Sequence, residues 1–561
     1  MRHLILTLSG ALLIAACISQ AGDIELVIEA TQLHALDPRL FGQFLERPFS
    51  TETGPESLVD TNGDLPEPIV TALAGMHAPV VRFPAGTDVD FTDWTYLIDR
   101  APGRASVQRV PTHGRDPELL VSARFGWHAY DRLAKRMGWE TIAAVNLLDG
   151  LAKRKPLAEA ALHAAGLIAY LNAPLGATLP AGMPDWPAIR AANGHPEPFA
   201  VRYVQLGNEW FMPFYKEGVK AACGNLTPEQ TGAWYAEVLR AHVAAIRAVD
   251  PQIEIIIDAN GRAGAYFLPD PVLRKEVRWV AIHAYAPQDT THGLTKTKVT
   301  VATNDLAAGD VSAAEFWQAW TAMPGVCDAV GQNQAFGAER LDLPRALGYR
   351  VAVTEWNWNC WGTNSLPTEA LAHLHRAAGI GAAQFIHGLF RRGDLIGMAV
   401  QSMMLGTQWA IAAVKVRSDG QLIRCPQGQM SGFYRAHHGP MLLQSRLSGA
   451  AIAPGTLTIG WAFAQPAVAQ IDALATGGNG HYIAHLVNRG TVPLTVVIRT
   501  PATAGSATVH RLLPCESEKP DALSWFTEDA VSVAVRDGIC RVEMPGMAVI
   551  AVDIAPDSKG L

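Results

Sequence analysis

The stretch VRYVQLGNEWF, residues 201–211, begins as a buried strand and ends in side chains that a strand does not need. Gly207 supplies the turn that ends the strand. Asn208 and Glu209 follow at once, with the indole of Trp210 beside them. Folding explains the glycine, but it does not explain a carboxylate placed among aromatic side chains. This strand end is therefore a candidate functional position.

Seven similar apolar runs lie on either side of this stretch and predict, together with it, eight strands. They are LFGQFLE (40–46), APVVRFPAG (78–86), ETIAAVNLL (140–148), IEIIIDAN (253–260), RWVAIHAYA (278–286), RVAVTEWN (350–357) and DLIGMAV (394–400). Continuous Val/Ile runs are typical of strands buried on both faces in a parallel sheet. Helical patterns connect them, and one opens with Thr227, Pro228 and Gln230 as a capping box. Residues 287–349 show no clear strand and predict a long connection with one or two helices.

Eight strands with intervening helices predict an α/β protein, a (β/α)₈ TIM barrel over residues 38–415. A doubly wound sheet is the alternative, but no glycine-rich phosphate loop follows the first strand. After residue 416 the pattern changes to short alternating strands with turns such as GGNG (477–480), which predicts an antiparallel β-sandwich over 416–561. The strand in residues 22–37 precedes the barrel, and we expect it to join that sandwich.

The first 21 residues are typical of an export signal, with Arg2 and His3 before an apolar run and small residues at its end. We therefore expect a periplasmic or extracellular protein. Cys17 in IAAC offers the alternative of a lipoprotein anchor. The other six cysteines permit three disulfides, and Cys515 with Cys540 is the preferred pair, because both lie in the late β-rich region.

The composition excludes some classes of protein. With 49% apolar and only 17% charged residues the 561-residue chain is not disordered. A net charge of −7 gives no support to nucleic-acid binding. No segment after the signal resembles a membrane span. No close Cys/His pairs have zinc-ligand spacing, so no metal is expected.

Function in such a barrel lies at the carboxyl ends of the strands. Glu46 ends the first strand, Asn208 and Glu209 follow the fourth, and Glu355 ends the seventh. The sixth carries His283 and Tyr285. Two carboxylates on opposite strands are what a retaining glycosidase needs, one as acid/base and one as nucleophile, about 5–5.5 Å apart.

The same residues also have purely structural interpretations. Glu46 could instead form a structural salt bridge with Arg47 or Arg82. His283 could be a histidine of the core, and Tyr285 could be a packing residue. The aromatic residues after the carboxylates are proposed as an apolar setting or as stacking walls; they are Trp210, Phe211, Trp356, Trp358 and Trp361. Joint placement at the ends of strands four, six and seven favours the functional interpretation.

FGQFLE, VVRFPAG, QLGNEW, AIHAY and VTEWNW occur in the order found in glycoside hydrolase family 51, and the chain resembles that family of retaining α-L-arabinofuranosidases. The resemblance implies Glu209 as acid/base and Glu355 as nucleophile. It implies sugar binding by Glu46, Asn208 and Tyr285, with His283 supporting the site. Trp210 and Trp358 complete the expected substrate-binding set as neighbouring aromatic residues. No cofactor is implied, the partner is a polysaccharide or oligosaccharide, and a homo-oligomer is open because members often form one.

The chain departs from the family after Arg82-Phe83-Pro84, where Ala85, Gly86 and Thr87 replace Gly-Gly-Asn. A furanose contact by that asparagine is therefore missing or replaced. Two alternatives stay open: a relative that cleaves another glycoside, such as a xylosidase, a β-glycanase or another furanosidase, and a non-catalytic carbohydrate-binding protein.

Overall fold

The computed structural model of the chain describes residues 24–48, 52–98, 107–109, 120–122, 124–210, 212–259, 264–285, 338–357, 368–409, 411–449, 470–502, 504–515 and 524–555. Several predictions made from the sequence fall outside these ranges: the signal at 1–21 with Cys17, the aromatic residues Phe211, Trp358 and Trp361, and the cysteines Cys327 and Cys360. Among the described helices none combines the length and apolar character that crossing a bilayer requires.

Eight parallel strands form a closed barrel in which every strand pairs with its neighbours in chain order. The strands are Gly42–Glu46, Val80–Ala85, Glu140–Val145, Tyr203–Leu206, Glu254–Asp258, Trp279–Tyr285, Arg350–Asn357 and Ile396–Gln401. Seven of them lie within the runs predicted from the sequence, and the eighth extends one residue beyond its run. Nearly all their residues are buried, as continuous apolar strands in a parallel sheet require. The prediction of a (β/α)₈ barrel is confirmed.

Helices cover the barrel and connect its strands. The α-helices are Glu67–Ala74, Trp127–Met137, Leu148–Leu151, Leu157–Asn172, Trp186–Ala192, Pro213–Cys223, Pro228–Val249, Gly264–Phe267, Pro271–Glu276, Ala338–Leu347, Thr368–Arg391 and Pro426–His437. The helix after the fourth strand begins with the predicted capping box. Thr227 Oγ1 accepts from the Gln230 backbone at 3.2 Å, and the Gln230 side chain accepts from the Thr227 backbone at 2.9 Å.

A second closed sheet follows the barrel and includes the strand that precedes it. Its strands are Ile24–Ala35, Met441–Ser448, Ile471–Gly478, His481–Asn488, Leu494–Arg499, Ala504–Pro514, Phe526–Arg536, Ile539–Met544 and Val549–Ile554. Strand 24–35 pairs antiparallel with 441–448 and parallel with 494–499, and so joins the two ends of the sheet. The other pairs are antiparallel. The predicted sandwich with the N-terminal strand is confirmed.

A short segment lies between the two sheets. Strands Leu405–Gly406, Val414–Val416 and Leu422–Arg424 form a small sheet, and helix Pro426–His437 leads on to the second closed sheet. The predicted domain boundary at residue 416 therefore falls inside this segment, and it stays a prediction. One further two-stranded sheet, Val107–Arg109 with Leu120–Ser122, lies in the connection between the second and third barrel strands.

The predicted Cys515–Cys540 disulfide is wrong, because both thiols are free. Cys515 follows Pro514, which pairs with Phe526 at one end of strand 526–536. Cys540 lies just beyond the hairpin at the other end of that strand. Ten residues of extended chain correspond to about 33 Å, whereas a disulfide needs Cα atoms within about 7 Å.

The buried imidazole of His242 is expected to make the stability of the fold dependent on pH. Burial lowers the pKa of His242, on helix 228–249, to about 4. The unfolded chain then binds a proton that the folded chain refuses between pH ~6.5 and ~4, so His242 contributes stability that is lost as the pH falls through this window. We expect wild type to lose about 1.4 kcal/mol of unfolding free energy per pH unit there relative to His242→Gln. Urea unfolding at several pH values measures this difference, and His77→Gln, at an exposed position, is the control.

Candidate active site

The two carboxylates that the sequence predicts to face each other are brought together at the carboxyl end of the barrel. Glu209 follows the fourth strand, and Glu355 lies on the seventh. A carboxylate oxygen of Glu209 lies within 4.8 Å of a carboxylate oxygen of Glu355. This separation is close to that of retaining glycosidases and shorter than the 6.5–9.5 Å typical of inverting ones.

Both oxygens of Glu355 accept hydrogen bonds. Arg82 Nη1 donates to Oε1 at 2.8 Å, and the Tyr285 hydroxyl donates to Oε2 at 2.7 Å. Ser402 Oγ lies 2.8 Å from the same hydroxyl and fixes its orientation. Burial and then the charge of Glu355 raise the pKa of Tyr285 well above its ordinary value, so Tyr285 keeps the proton that it donates. Glu355 is therefore held in one orientation as a hydrogen-bonded carboxylate.

Arg82 connects the nucleophile candidate to the fourth strand end. Its second nitrogen, Nη2, donates to Asn208 Oδ1 at 2.8 Å, and its guanidinium lies 5.4 Å from the centre of the Phe44 ring. The side chain is fully buried. A planar fork can bridge two acceptors in this way, which a lysine cannot do. Sequence reasoning named Arg82 only as a partner for Glu46; its isolated charge inside the run VVRFPAG was the available signal.

Glu46 makes neither of the salt bridges that its structural interpretation required. Arg47 instead pairs with Glu56 at 2.6 Å and with Asp88 at 3.0 Å. Arg82 is committed to Glu355.

The Glu46 carboxyl lies against Gly86, where a Cβ atom would come within 2.0 Å of Oε1. Gly86 also has a φ of 73°, which favours glycine. Burial, followed by the negative charges of Glu355 and Asp88, raises the pKa of Glu46 well above its ordinary value. A protonated Glu46 beside Glu355 can both donate and accept a hydrogen bond.

His283 lies between the two carboxylates. Its Nδ1 is 2.8 Å from Glu209 Oε1 and 3.5 Å from Glu355 Oε2, and its Nε2 is 3.2 Å from Thr354 Oγ1. Burial opposes a charge on the ring, but the charge of Glu355 and the hydrogen bond to Glu209 outweigh it and raise the pKa of His283. Arg340 donates to the His283 carbonyl. His283 is therefore not an apolar core histidine.

The backbone of Glu209 is strained. Its φ is 37°, in the left-handed region that non-glycine residues seldom adopt. Two residues earlier, Gly207 has a φ of 71°, and a side chain there would meet the Leu147 Cβ at 2.9 Å. The Glu209 side chain is 18% exposed and that of Glu355 is 8% exposed, so Glu209 is the carboxylate more open to solvent.

Asp90 holds the ends of the third and fourth strands together, a role that sequence reasoning missed. Its carboxylate accepts from the backbone of Leu147 at 2.7 Å, of Leu148 at 3.1 Å and of Asn208 at 2.9 Å, and from the Tyr215 hydroxyl at 3.0 Å. Burial raises the pKa of Asp90 to about 6, despite these hydrogen bonds. No local sequence signal identifies such a role, because each partner lies far away along the chain.

The described tryptophans near the carboxylates pack into the core. Trp210 is 7% exposed and stacks on Tyr235 with ring centres 4.4 Å apart. Trp356 is 1% exposed and packs on Phe385. Sugar binding by Trp210 stays a prediction, and Trp358 lies outside the described residues.

Glu209, His283 and Glu355 also have the residue types of a metal site, since their ligand atoms lie within 4.8 Å of one another. Hydrogen bonds account for the cluster, because His283 bridges the two carboxylates. A cation here would share Glu355 with the Arg82 guanidinium, 2.8 Å away, and the two positive charges would repel each other. The donor set therefore fits proton transfer better than metal binding.

Comparisons with known proteins show similarity to arabinofuranosidases over part of the chain. Residues 72–300 match the family model of the α-L-arabinofuranosidase 1 domain. An intracellular exo-α-(1→5)-L-arabinofuranosidase of Streptomyces lividans is 29% identical over 266 residues, 45% of this chain and 35% of that protein. An extracellular exo-α-L-arabinofuranosidase of Streptomyces chartreusis is 28% identical over 160 residues, 25% of this chain and 18% of that protein. The match thus spans about a third or less of the length of these relatives.

Solved structures share the fold over nearly the whole chain. A family 51 α-L-arabinofuranosidase from Bifidobacterium longum superposes with a TM-score of 0.68 at 18% identity, covering 95% of this chain and 99% of that one. The resemblance to glycoside hydrolase family 51 drawn from the sequence is confirmed by these matches taken together.

Proposed function

We propose that this chain, which resembles the family 51 α-L-arabinofuranosidases in domain and fold, is a retaining glycoside hydrolase that releases arabinofuranosyl residues from polysaccharides or oligosaccharides. The observation that carries the proposal is the approach of Glu209 and Glu355 to within 4.8 Å at one barrel end. Two carboxylates at this separation suit double displacement through a covalent intermediate.

Glu355 is the proposed nucleophile. Arg82 and Tyr285 hold both of its oxygens, and its side chain is only 8% exposed, so the carboxylate is fixed and little hydrated. In the first step one of its oxygens forms a bond to the anomeric carbon while the glycosidic bond breaks.

Glu209 is the proposed acid/base. It gives its proton to the leaving glycosidic oxygen in the first step. In the second step it accepts a proton from water, whose oxygen attacks the anomeric carbon as the bond to Glu355 breaks. Its greater exposure suits exchange with an incoming water, and the hydrogen bond to His283 orients its carboxylate. Two displacements return the sugar with its original anomeric configuration.

The proposed sugar contacts surround the two carboxylates. Asn208 is oriented by Arg82 through its side chain and by Asp90 through its backbone, which suits a hydrogen bond to the sugar hydroxyl beside the anomeric carbon. Glu46, buried beside Glu355, is suited to a second hydroxyl. We keep Tyr285, His283, Trp210 and Trp358 in the proposed binding set.

Arg82→Lys tests whether the bridge between Glu355 and Asn208 matters for turnover. A lysine keeps the charge but cannot donate to both acceptors from a planar fork, so we expect kcat to fall about tenfold to a hundredfold. Steady-state kinetics on an aryl α-L-arabinofuranoside measures the change. Arg132→Lys, at an exposed arginine paired with Asp64, is the matched control. A variant at position 82 with unchanged kcat would refute the role.

A clan relative that cleaves another glycoside is the second candidate, because Thr87 stands where the family has asparagine. The deciding experiment is a panel of aryl glycosides and polysaccharides, with the anomeric form of the released sugar followed by NMR. We expect L-arabinose, released first as the anomer present in the substrate. Release of another sugar alone would support the second candidate, and the inverted anomer would refute the mechanism. Binding without hydrolysis would identify a carbohydrate-binding protein.

Export is also part of the proposal. The apolar run that follows Arg2 within residues 1–21 supports export. The relatives include both intracellular and extracellular enzymes. Cell fractionation with intact-mass measurement tests it. Soluble processed protein outside the cytoplasm supports plain export, a lipid mass on Cys17 supports the anchored alternative, and an unprocessed cytoplasmic chain refutes both.

A further inference from the structure

A cavity of about 1180 Å³ lies at the opposite end of the barrel from Glu209 and Glu355. Its wall is formed where strands begin, including Pro79 before the second strand, Trp139 before the third, Arg202 before the fourth, Arg350 at the start of the seventh and Asp394 before the eighth. Because all barrel strands run in parallel, these residues lie at the end that carries none of the proposed catalytic groups.

The cavity is lined by more positive than negative side chains. Its charged residues are Arg39, Arg136, Arg202, Arg350 and Arg435, with Asp37, Glu140 and Asp394. The excess of arginine is opposite in sign to the net charge of the whole chain, which is −7. Three of the arginines have carboxylate partners: Arg39 with Asp37 at 2.5 Å, Arg136 with Glu67 at 2.5 Å and Arg202 with Glu254 at 3.0 Å.

Arg350 and Arg435 differ from these three. In the described part of the chain no carboxylate oxygen lies within 4.0 Å of either guanidinium, and the Nε atom of each is buried without a hydrogen-bond partner. Both side chains are half-buried. Arg350 lies over the Trp279 ring, 5.6 Å from its centre, and burial lowers its pKa. Asp37 and Asp394 act on Arg350 only through their charges. Each guanidinium is thus partly desolvated without a carboxylate in contact, and a bound anion would offset that cost.

Arg190 shows how this fold can satisfy a buried guanidinium. Arg190 donates to four backbone carbonyls, those of Tyr170, Ala173, His195 and Pro196, at 2.7–3.0 Å. The fold thus has the means to neutralise a buried guanidinium with its own backbone. It does not use these means for the two arginines that share this cavity.

We infer that the cavity binds a carboxylate-bearing saccharide, such as a short oligomer of a uronic acid. The guanidinium fork pairs with a planar carboxylate through two parallel hydrogen bonds. The volume suits an oligosaccharide better than a lone inorganic anion. Trp139 on the wall offers an apolar face for a sugar ring. The saccharide part of the inference rests on the proposed function; the anionic part rests on the arginines alone.

Calorimetric titration of the full chain with trigalacturonate tests the inference, with maltotriose as the neutral probe and inorganic phosphate as the small anion. The variants are Arg350→Gln and Arg435→Gln, and Arg132→Gln, outside the cavity, is the control. We expect trigalacturonate to bind and maltotriose not to. Each cavity variant should weaken trigalacturonate binding about tenfold or more. Because Arg435 lies on a helix outside the barrel sheet, its variant decides the matter if Arg350→Gln does not fold.

Equal binding of both trisaccharides, no binding of trigalacturonate, or unchanged binding by a folded variant would overturn the inference. Tighter binding of phosphate than of trigalacturonate would overturn the saccharide assignment. Titration requires no bond cleavage, so its outcome is independent of the proposed hydrolysis. A chain that binds trigalacturonate but cleaves no arabinofuranoside would refute the proposed function and leave this inference standing, and the reverse result would do the opposite.

Discussion

Glu355→Gln is expected to lower kcat on an aryl α-L-arabinofuranoside by at least about a thousandfold, because it removes the carboxylate that is proposed to form the covalent intermediate. Glutamine has the shape of glutamate and can still accept a hydrogen bond from Arg82, which now donates to Glu355 at 2.8 Å. The loss should therefore come from missing nucleophilicity rather than from unfolding. Steady-state rates and thermal unfolding of the same preparation separate the two causes.

The matched control is Glu159→Gln, an exposed glutamate on helix 157–172. It removes the same charge at a distance from the barrel end and should leave kcat unchanged. If Glu355→Gln retained more than about a tenth of wild-type turnover, Glu355 would not be the nucleophile. The double-displacement mechanism would then have to be abandoned.

Glu209→Gln should separate substrates by their leaving groups. A natural glycoside leaves as an alkoxide that needs a proton, so its hydrolysis should fall about a hundredfold to ten-thousandfold. A dinitrophenyl glycoside needs no proton to leave, and its first step should stay fast. The second step lacks its base, so a burst of dinitrophenolate should precede slow turnover. Stopped-flow absorbance measures the burst.

Comparing the two variants tests the assignment of Glu209 as acid/base and Glu355 as nucleophile. Glu355→Gln should give no burst with either leaving group, because it forms no intermediate. Equal losses on both substrates for Glu209→Gln would show that Glu209 acts in binding rather than in proton transfer. This distinction matters because the strained backbone at Glu209 is compatible with either a binding role or an acid/base role.

The barrel could be predicted from the sequence because its strands are buried on both faces. Uninterrupted runs such as IEIIIDAN are typical of strands in a parallel sheet covered on both faces, and all eight runs contain strands of the barrel. Polar residues at the ends of such strands had to meet at one barrel mouth. That geometric rule places Glu209, His283, Tyr285 and Glu355 at the same end of the barrel.

What the sequence could not supply was the choice among partners. Glu46 had two basic candidates, Arg47 and Arg82, and Arg82 pairs instead with Glu355, a carboxylate 273 positions away from it. Asp90 gathers donors from 57 to 125 positions away. The Cys515–Cys540 prediction was wrong because the two cysteines, although they lie in the same β-rich region, are near opposite ends of strand 526–536. Pairings of this kind are decided by the packed fold, and no local spacing encodes them.

The strand Ile24–Ala35 has a consequence for the order in which the chain is made. Its partner at 441–448 is synthesised about 400 residues later, which at 5–20 residues per second is a delay of roughly 20 to 80 seconds. Until then the strand is an exposed edge with unmatched amides, a template for unwanted pairing with another nascent chain. Slow translation, or a ribosome stalled within the barrel, should therefore favour aggregation that begins at the amino-terminal segment.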